Sequence, residues 1–237
     1  MTRIAVHGTG RMGRAIVQAA DERRDAEVVS LVGPKAPDWD CRPPWVTELD
    51  SLPDAPDLLI DFTLPDGTGA AAAWCADRGV PLLSGVTGLP DTVHQALRKA
   101  AERVPVLWSP NLSLGVNLLA ELAGQAAGML DAETPVTIED IHHQWKKDAP
   151  SGTALMLGEA IASRRGGDGG DIEYRSERRG EVIGDHTVTF QLNGEEFDLV
   201  HRAGDRAIFA RGALDAGIWL TGRPPGFYAA RDWLFGR

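Results

Sequence analysis

The segment Gly8-Thr9-Gly10-Arg11-Met12-Gly13 constrains this 237-residue chain more than any other. It follows an apolar run at residues 4–7 that reads as a strand. It opens residues 11–20, where Met12, Ile16, Ala19 and Ala20 fall at helical spacing. Glycines so spaced in a strand–turn–helix serve a tight turn, close backbone approach to a pyrophosphate, and close helix–strand packing. Unpaired N–H groups at the helix start complete an anion site. A mere tight turn is the alternative; the place of the segment in a longer series of strands and helices favours the pyrophosphate.

That series continues with expected strands at 27–32, 58–62, 80–83 and 104–108, and expected helices at 66–77 and 91–103. Strands alternating with helices indicate βαβ units and a parallel sheet. Beyond Trp108 the texture changes. A long helix is expected at 115–130, a strand at 135–143, a helix at 152–162, and a polar, glycine-rich loop at 164–180. Strands at 187–192 and 195–201 flank Asn193-Gly194, a strong hairpin signal. A short strand at 207–210 and helices at 212–220 and 227–235 close the chain. The expected fold is therefore an α/β Rossmann dinucleotide-binding domain followed, beyond a division near 110–114, by an α+β domain with a mixed, largely antiparallel sheet.

With 43% hydrophobic and 24% charged residues, the chain can bury a core, which excludes general disorder. Its net charge of −10 speaks against nucleic-acid binding and means that an anionic small molecule needs a local island of positive charge. Two cysteines, Cys41 and Cys75, exclude a disulfide framework and a four-cysteine zinc site. No apolar run is long enough to span a membrane, and the first residues lack the pattern of a signal peptide. A cytoplasmic protein with no membrane partner is expected.

The acid that usually meets the cofactor ribose should follow the second strand about 20 residues after the glycines. Here Gly33-Pro34-Lys35 stands instead. Lys35 suits a 2′-phosphate, which favours NADPH over NADH while leaving both open; a plain solvated lysine is the alternative. The positive island lies at His142-His143-Gln144-Trp145-Lys146-Lys147, and Ser151-Gly152-Thr153 then opens an apolar helix. A helix start with two hydroxyls and a glycine suits a carboxylate. Ser151 as a simple N-cap of a solvated loop is the blander reading. The spacing matches no standard metal site, so no metal is expected. Ser84-Gly85-Val86-Thr87-Gly88 and Ser109-Pro110-Asn111-Leu112 follow strands, where loops of a parallel sheet line a ligand crevice.

These motifs, with IDFT at 60–63, SPNLSLGVNLL at 109–119, HHQWKKDAPSGTAL at 142–155, GDHTVTF at 184–190 and HRAGDRAIFARGAL at 201–214, resemble the dihydrodipicolinate reductase family. This is the 4-hydroxy-tetrahydrodipicolinate reductase family of bacterial lysine and diaminopimelate synthesis. The likeness spans nearly the whole chain. It implies NAD(P)H-dependent reduction of a small cyclic dicarboxylate by a homotetramer, with a dinucleotide-binding domain of 1–113 completed by 214–237 and a substrate-binding and oligomerisation domain of 114–213. It implies that Gly8, Thr9, Gly10, Arg11, Met12 and Gly13 hold the pyrophosphate. Gly85, Val86, Thr87, Ser109, Pro110, Asn111 and Leu112 line the nicotinamide end. By the same likeness His142 is a proton donor or acceptor and Lys146 a proton donor, while His143, Gly152 and Thr153 contact substrate carboxylates, with Ser151 beside them. Both proton-handling groups sit beside other cations, which lowers a pKa. The chain departs from the family in being short between the second and third strands and at 164–180, and in carrying Asp140 where a glutamate is expected. Hinges are expected near 112–115 and 211–214, and subunit pairing through the sheet carrying Val188, Phe190, Phe197 and Leu199.

A dinucleotide-binding regulator without catalysis should lack a proton donor. Another Rossmann reductase would share the glycine loop but has no use for HHQWKKDAPSGT.

Overall fold

The computed structural model describes residues 1–166 and 172–236. The chain forms two compact units, one of Met1–Leu112 with Ala207–Arg237 and the other of Ser113–Arg206.

In the first unit the strands are β1 (Thr2–His7), β2 (Ala26–Val32), β3 (Trp45–Val46), β4 (Leu58–Asp61), β5 (Leu82–Ser84), β6 (Pro105–Trp108) and, from the end of the chain, β11 (Gly226–Tyr228). They make one sheet in the order β11-β6-β5-β4-β1-β2-β3, with every pair parallel. Leu58, Leu59 and Ile60 are wholly buried, as are Ile4, Ala5 and Val6, which is how strands covered on both faces read. One face packs against α1 (Arg11–Asp21) and α6 (Ala207–Thr221), through Ile16, Val17, Ala213, Leu214 and Leu220. The other packs against α2 (Pro65–Arg78) and α3 (Asp91–Ala100), through Ala71, Cys75 and Leu97. The strand order reverses between β1 and β4, which leaves a crevice at the carboxyl ends of these strands.

The second unit has a four-stranded sheet of β7 (Val136–His142), β8 (Ile172–Arg178), β9 (Asp185–Leu192) and β10 (Glu195–Arg202), in the order β10-β9-β7-β8. The β7–β8 pair is parallel; the β7–β9 and β9–β10 pairs are antiparallel. Helices α4 (Leu114–Met129) and α5 (Gly152–Arg165) bury Leu119, Ala123, Leu157 and Ile161 against Val136, Ile138, Val188 and Phe190. Along β7 burial alternates residue by residue, so one face is covered and the other open. Phe197 pairs with Phe190 and Leu199 with Val188. All four residues therefore point to the helix-covered face, and the open face carries Thr187, Thr189, Glu196 and Asp198. The hairpin turns at Asn193-Gly194, with Gly194 at φ +93°, as such a tight turn requires.

Four local expectations are corrected. Residues 172–178 form strand β8 inside the span expected as loop, of which 167–171 lie outside the described residues. Charged residues hide it, because an edge strand carries charge on its open side, here Glu173, Arg175 and Glu177. Residues 207–210 are the first turn of α6 rather than a strand, since a short apolar run does not distinguish the two. Residues 211–214, expected as a hinge, accordingly lie inside α6. Gly226–Tyr228 is a parallel strand against β6, and only Ala230–Phe235 of the expected final helix is helical (α7).

Candidate active site

In the first unit the glycine loop links β1 to α1. Gly8 has φ +123°, and a Cβ there would lie 2.8 Å from the Phe62 carbonyl oxygen. A Cβ on Gly13 would lie 2.0 Å from the Gly8 carbonyl oxygen, so helix and loop touch through this position. Around Gly10 nothing lies within 4 Å of the equivalent point. The first and third glycines thus serve the protein's own packing, and the second leaves open space beside the helix start. Gly10 is also the N-cap of α1, with no side-chain cap hydrogen bond to the first-turn N–H groups. This cradle fits a pyrophosphate in shape and in donors. Arg11, Met12 and Gly13 form the first turn.

The neighbouring loops are tied to this one. Gly8 N–H donates to the Val32 carbonyl, and Thr9 Oγ1 donates to the Lys35 carbonyl at 3.0 Å. The Trp39 indole N–H donates to the Thr9 carbonyl at 2.9 Å. Lys35 is exposed, in the loop following β2. Gly85, Val86 and Thr87 follow β5, and the Trp108 indole N–H donates to the Val86 carbonyl at 2.9 Å. Ser109, Pro110, Asn111 and Leu112 follow β6; Ser109 Oγ donates to the Asn111 carbonyl at 2.7 Å. All these loops leave the carboxyl ends of parallel strands. Beneath them Asp61 is fully buried and accepts hydrogen bonds from Thr63 Oγ1 at 2.6 Å, Thr68 Oγ1 at 2.6 Å and Ser84 Oγ at 3.0 Å, with His7 Nδ1 at 3.3 Å.

In the second unit β7 ends in His142, and Ser151 caps α5 by accepting from Ala154 N–H at 3.1 Å. Gly152 and Thr153 form the first turn of that helix. Between them Lys146 Nζ meets Asp148 Oδ2 at 2.7 Å, so this lysine sits against a carboxylate rather than among cations alone. His143 faces Trp145, with ring centroids 5.8 Å apart, and Trp145 is 64% exposed.

Behind these residues lies a layer that is assembled only by the fold. Asp140 is wholly buried and accepts from His142 Nδ1, Ser176 Oγ, Arg178 Nη1 and Ser151 N–H. Arg178 also donates to the Asp148 carbonyl. The imidazole of His186 packs edge-on to His142 at 5.1 Å, and its Nε2 lies 3.5 Å from Ser151 Oγ. Burial works to raise the Asp140 pKa, but the Ser176 hydrogen bond and the Arg178 charge outweigh it and hold the carboxyl below its ordinary range. Burial lowers His142, helped by the Lys146 charge and opposed by Asp140. His186 is pushed down to about 3, first by burial and then by His142. Two of these groups have a signal in the sequence: Gly184-Asp185-His186 lies in a motif of the resemblance, and Asp140 is one of the chain's departures from the family. Arg178 and Ser176 had none, since they fall in the span expected as loop.

Comparison with known proteins identifies the family. Residues 2–112 match the family model for the N-terminus of dihydrodipicolinate reductase, and residues 115–234 match that for its C-terminus. The 4-hydroxy-tetrahydrodipicolinate reductase of Xanthomonas euvesicatoria is 45% identical over 97% of this chain and 96% of its own. That of Stenotrophomonas maltophilia is 45% identical over 98% and 97%. Among solved structures, the dipicolinate-bound dihydrodipicolinate reductase of Paenisporosarcina sp. TG-14 superposes with a TM-score of 0.85 at 25% identity, covering 98% of each chain. With the two family models together matching residues 2–112 and 115–234, the chain belongs to the dihydrodipicolinate reductase family.

Proposed function

We propose that this protein reduces 4-hydroxy-tetrahydrodipicolinate to tetrahydrodipicolinate, in diaminopimelate and lysine synthesis. The observation that carries the reading is the helix start at Ser151-Gly152-Thr153, set beside His142, His143 and Lys146 in a chain of net charge −10. A dicarboxylate finds there both N–H donors and cations. Dipicolinate, a planar ring with two carboxylates, is bound by the Paenisporosarcina relative and has this chemistry.

The cofactor is a reduced nicotinamide dinucleotide, and it supplies a hydride when bound. Gly8, Thr9, Gly10, Arg11, Met12 and Gly13 hold its pyrophosphate; Gly85, Val86, Thr87, Ser109, Pro110, Asn111 and Leu112 border its nicotinamide. Lys35 and the lack of an acid after β2 favour NADPH over NADH. The substrate takes up one hydride and one proton, and its 4-hydroxyl leaves as water. His142 or Lys146 handles the proton, while His143, Ser151, Gly152 and Thr153 hold the carboxylates. Positioning and charge carry most of the catalysis beyond the hydride itself.

The protein acts in the cytoplasm as a homotetramer, with no nucleic-acid or membrane partner. Among the described residues no helix is long and apolar enough to cross a membrane. Subunit contact uses the open face of the second sheet, where Val200 on β10 is 43% exposed. Light scattering at micromolar concentration tests this, and a monomer refutes it. The activity is tested by loss of reduced-nicotinamide absorbance when the purified protein meets fresh synthase product. No loss with either NADPH or NADH overturns the reading.

A further inference from the structure

Asp140 stands where three elements meet: it lies on β7, and its partners lie on β7 itself, on β8 and at the cap of α5. Its two oxygens are used evenly. Oδ1 accepts from His142 Nδ1 at 2.9 Å and Arg178 Nη1 at 3.0 Å. Oδ2 accepts from Ser176 Oγ at 2.5 Å and from Ser151 N–H at 3.4 Å. A carboxylate offers about four lone-pair positions, so this one is saturated. Arginine and backbone N–H groups only donate, and a carboxylate beside a guanidinium is ionised. Asp140 therefore has no proton to offer His142, and the hydrogen between them belongs to Nδ1.

We propose that Asp140, clamped by Arg178, is a positioning residue that fixes His142 as its Nδ1–H tautomer and leaves Nε2 as the one ring atom that exchanges a proton with the substrate. The Nε2 edge lies beside the backbone of Gly184, where a Cβ would come within 3.1 Å of it. The groups facing the ring are Asp140, Arg178, Lys146 and His186. Two of these are cations, and burial also disfavours charge on the imidazole, so a neutral ring with a single N–H is the resting form. A neutral Nδ1–H imidazole carries no proton on Nε2; it first takes one there and then releases it. The resting His142 is thus a proton acceptor. Because the same carboxylate accepts the Ser151 N–H, it also fixes the imidazole relative to the helix start that anchors the substrate.

What His142 acts upon rests on the reductase reading, but the tautomer itself can be read without turnover. The full-length protein is labelled with ¹⁵N-histidine, and the His142 signals are assigned by their loss in His142→Gln. At neutral pH the expected spectrum shows a protonated, pyrrole-like Nδ1 and a bare, pyridine-like Nε2. A protonated Nε2 in the unaltered protein overturns the proposal, whatever the enzyme turns over. Asp140→Asn should move His142 towards the Nε2–H form and lower kcat by roughly 10²–10⁴-fold with dinucleotide affinity unchanged. Asp140→Glu keeps the carboxylate and should recover at least about tenfold of that kcat, a usual step for one well-placed charge-assisted hydrogen bond. An Asp140→Asn protein that retains both tautomer and kcat refutes the assignment, as does Asp140→Glu no better than Asn. Should Asp140→Asn fail to fold, the spectrum of the unaltered protein and the Glu variant still decide.

Discussion

Asp61 and Asp140 are both wholly buried carboxylates at or near the carboxyl end of a strand, each close to a histidine, one in each unit. Their other partners differ. Asp61 gathers hydroxyls from Thr63, Thr68 and Ser84, and so ties β4 to α2 and β5 beneath the dinucleotide crevice. Asp140 gathers a guanidinium, a helix-start N–H and the imidazole at the candidate site. Neutral donors at the ends of scaffold elements make a carboxylate a fastener. A guanidinium among its donors, beside the imidazole, makes it a setting for proton chemistry. Burial and a histidine neighbour alone do not distinguish the two roles.

Substitutions can break this contrast. The largest effect is expected at the two residues proposed to handle the proton, where His142→Ala and Lys146→Ala should each lower kcat by roughly 10²–10⁴-fold. Dinucleotide Kd, measured by fluorescence titration, should stay within error, because both residues lie in the second unit. A loss of dinucleotide affinity in either variant would end the division of labour between the units.

Asp61→Ala should act on stability instead. Several buried donors would lose their acceptor together, at a cost of about 3–5 kcal/mol in urea unfolding, with kcat of the folded fraction largely kept. The pH dependence has a definite sign. Burial raises the Asp61 pKa, but His7, Thr63 and Thr68 outweigh it and bring the carboxyl below its ordinary value of 3.8. Its contribution is therefore complete above that value and is lost as pH falls through the lowered one. Asp61→Asn should flatten the acid limb of the stability curve; an unchanged limb would show that the network carries no charge-dependent stability.

Next comes Gly10→Val. A Cβ at this position has open space around it, so the fold should survive while dinucleotide affinity drops by about 100-fold or more. Calorimetry and circular dichroism on the same sample separate the two. The smallest effect belongs to Lys35→Ala, which would remove the proposed exposed contact to a 2′-phosphate, worth about 1 kcal/mol, and should shift the NADPH-to-NADH affinity ratio several-fold towards NADH. Equal loss with both cofactors would make Lys35 a general contact rather than a selective one.

Much of the first unit is legible in the sequence because its determinants are local. The glycine loop, the buried apolar strands and the alternation with helices all lie within short windows. The cluster from His142 to Thr153 is legible for the same reason, and so is the hairpin at Asn193-Gly194. Asp140 is different. Its donors sit at positions 142, 151, 176 and 178, so its role exists only once β8 is laid parallel to β7. Strand β8 is in turn hidden by its own charges. The start of α6 is hidden because Ala207, Ile208, Phe209 and Ala210 suit a strand or a helix equally until they pack against the sheet.

Trp145, exposed at 64% between His143 and Lys146, gives the protein an optical probe of its own. An indole in water emits at longer wavelength than one that is covered, and its quantum yield responds to a nearby charge. A dicarboxylate settling on the helix start at Ser151 would alter both, through the ring of His143 and the ion pair of Lys146. Each of the other six tryptophans lies outside this loop and supplies a steady background. Titrating substrate analogues against intrinsic emission, with Trp145→Phe as the blank, would then report occupancy of the second unit without label, cofactor or turnover.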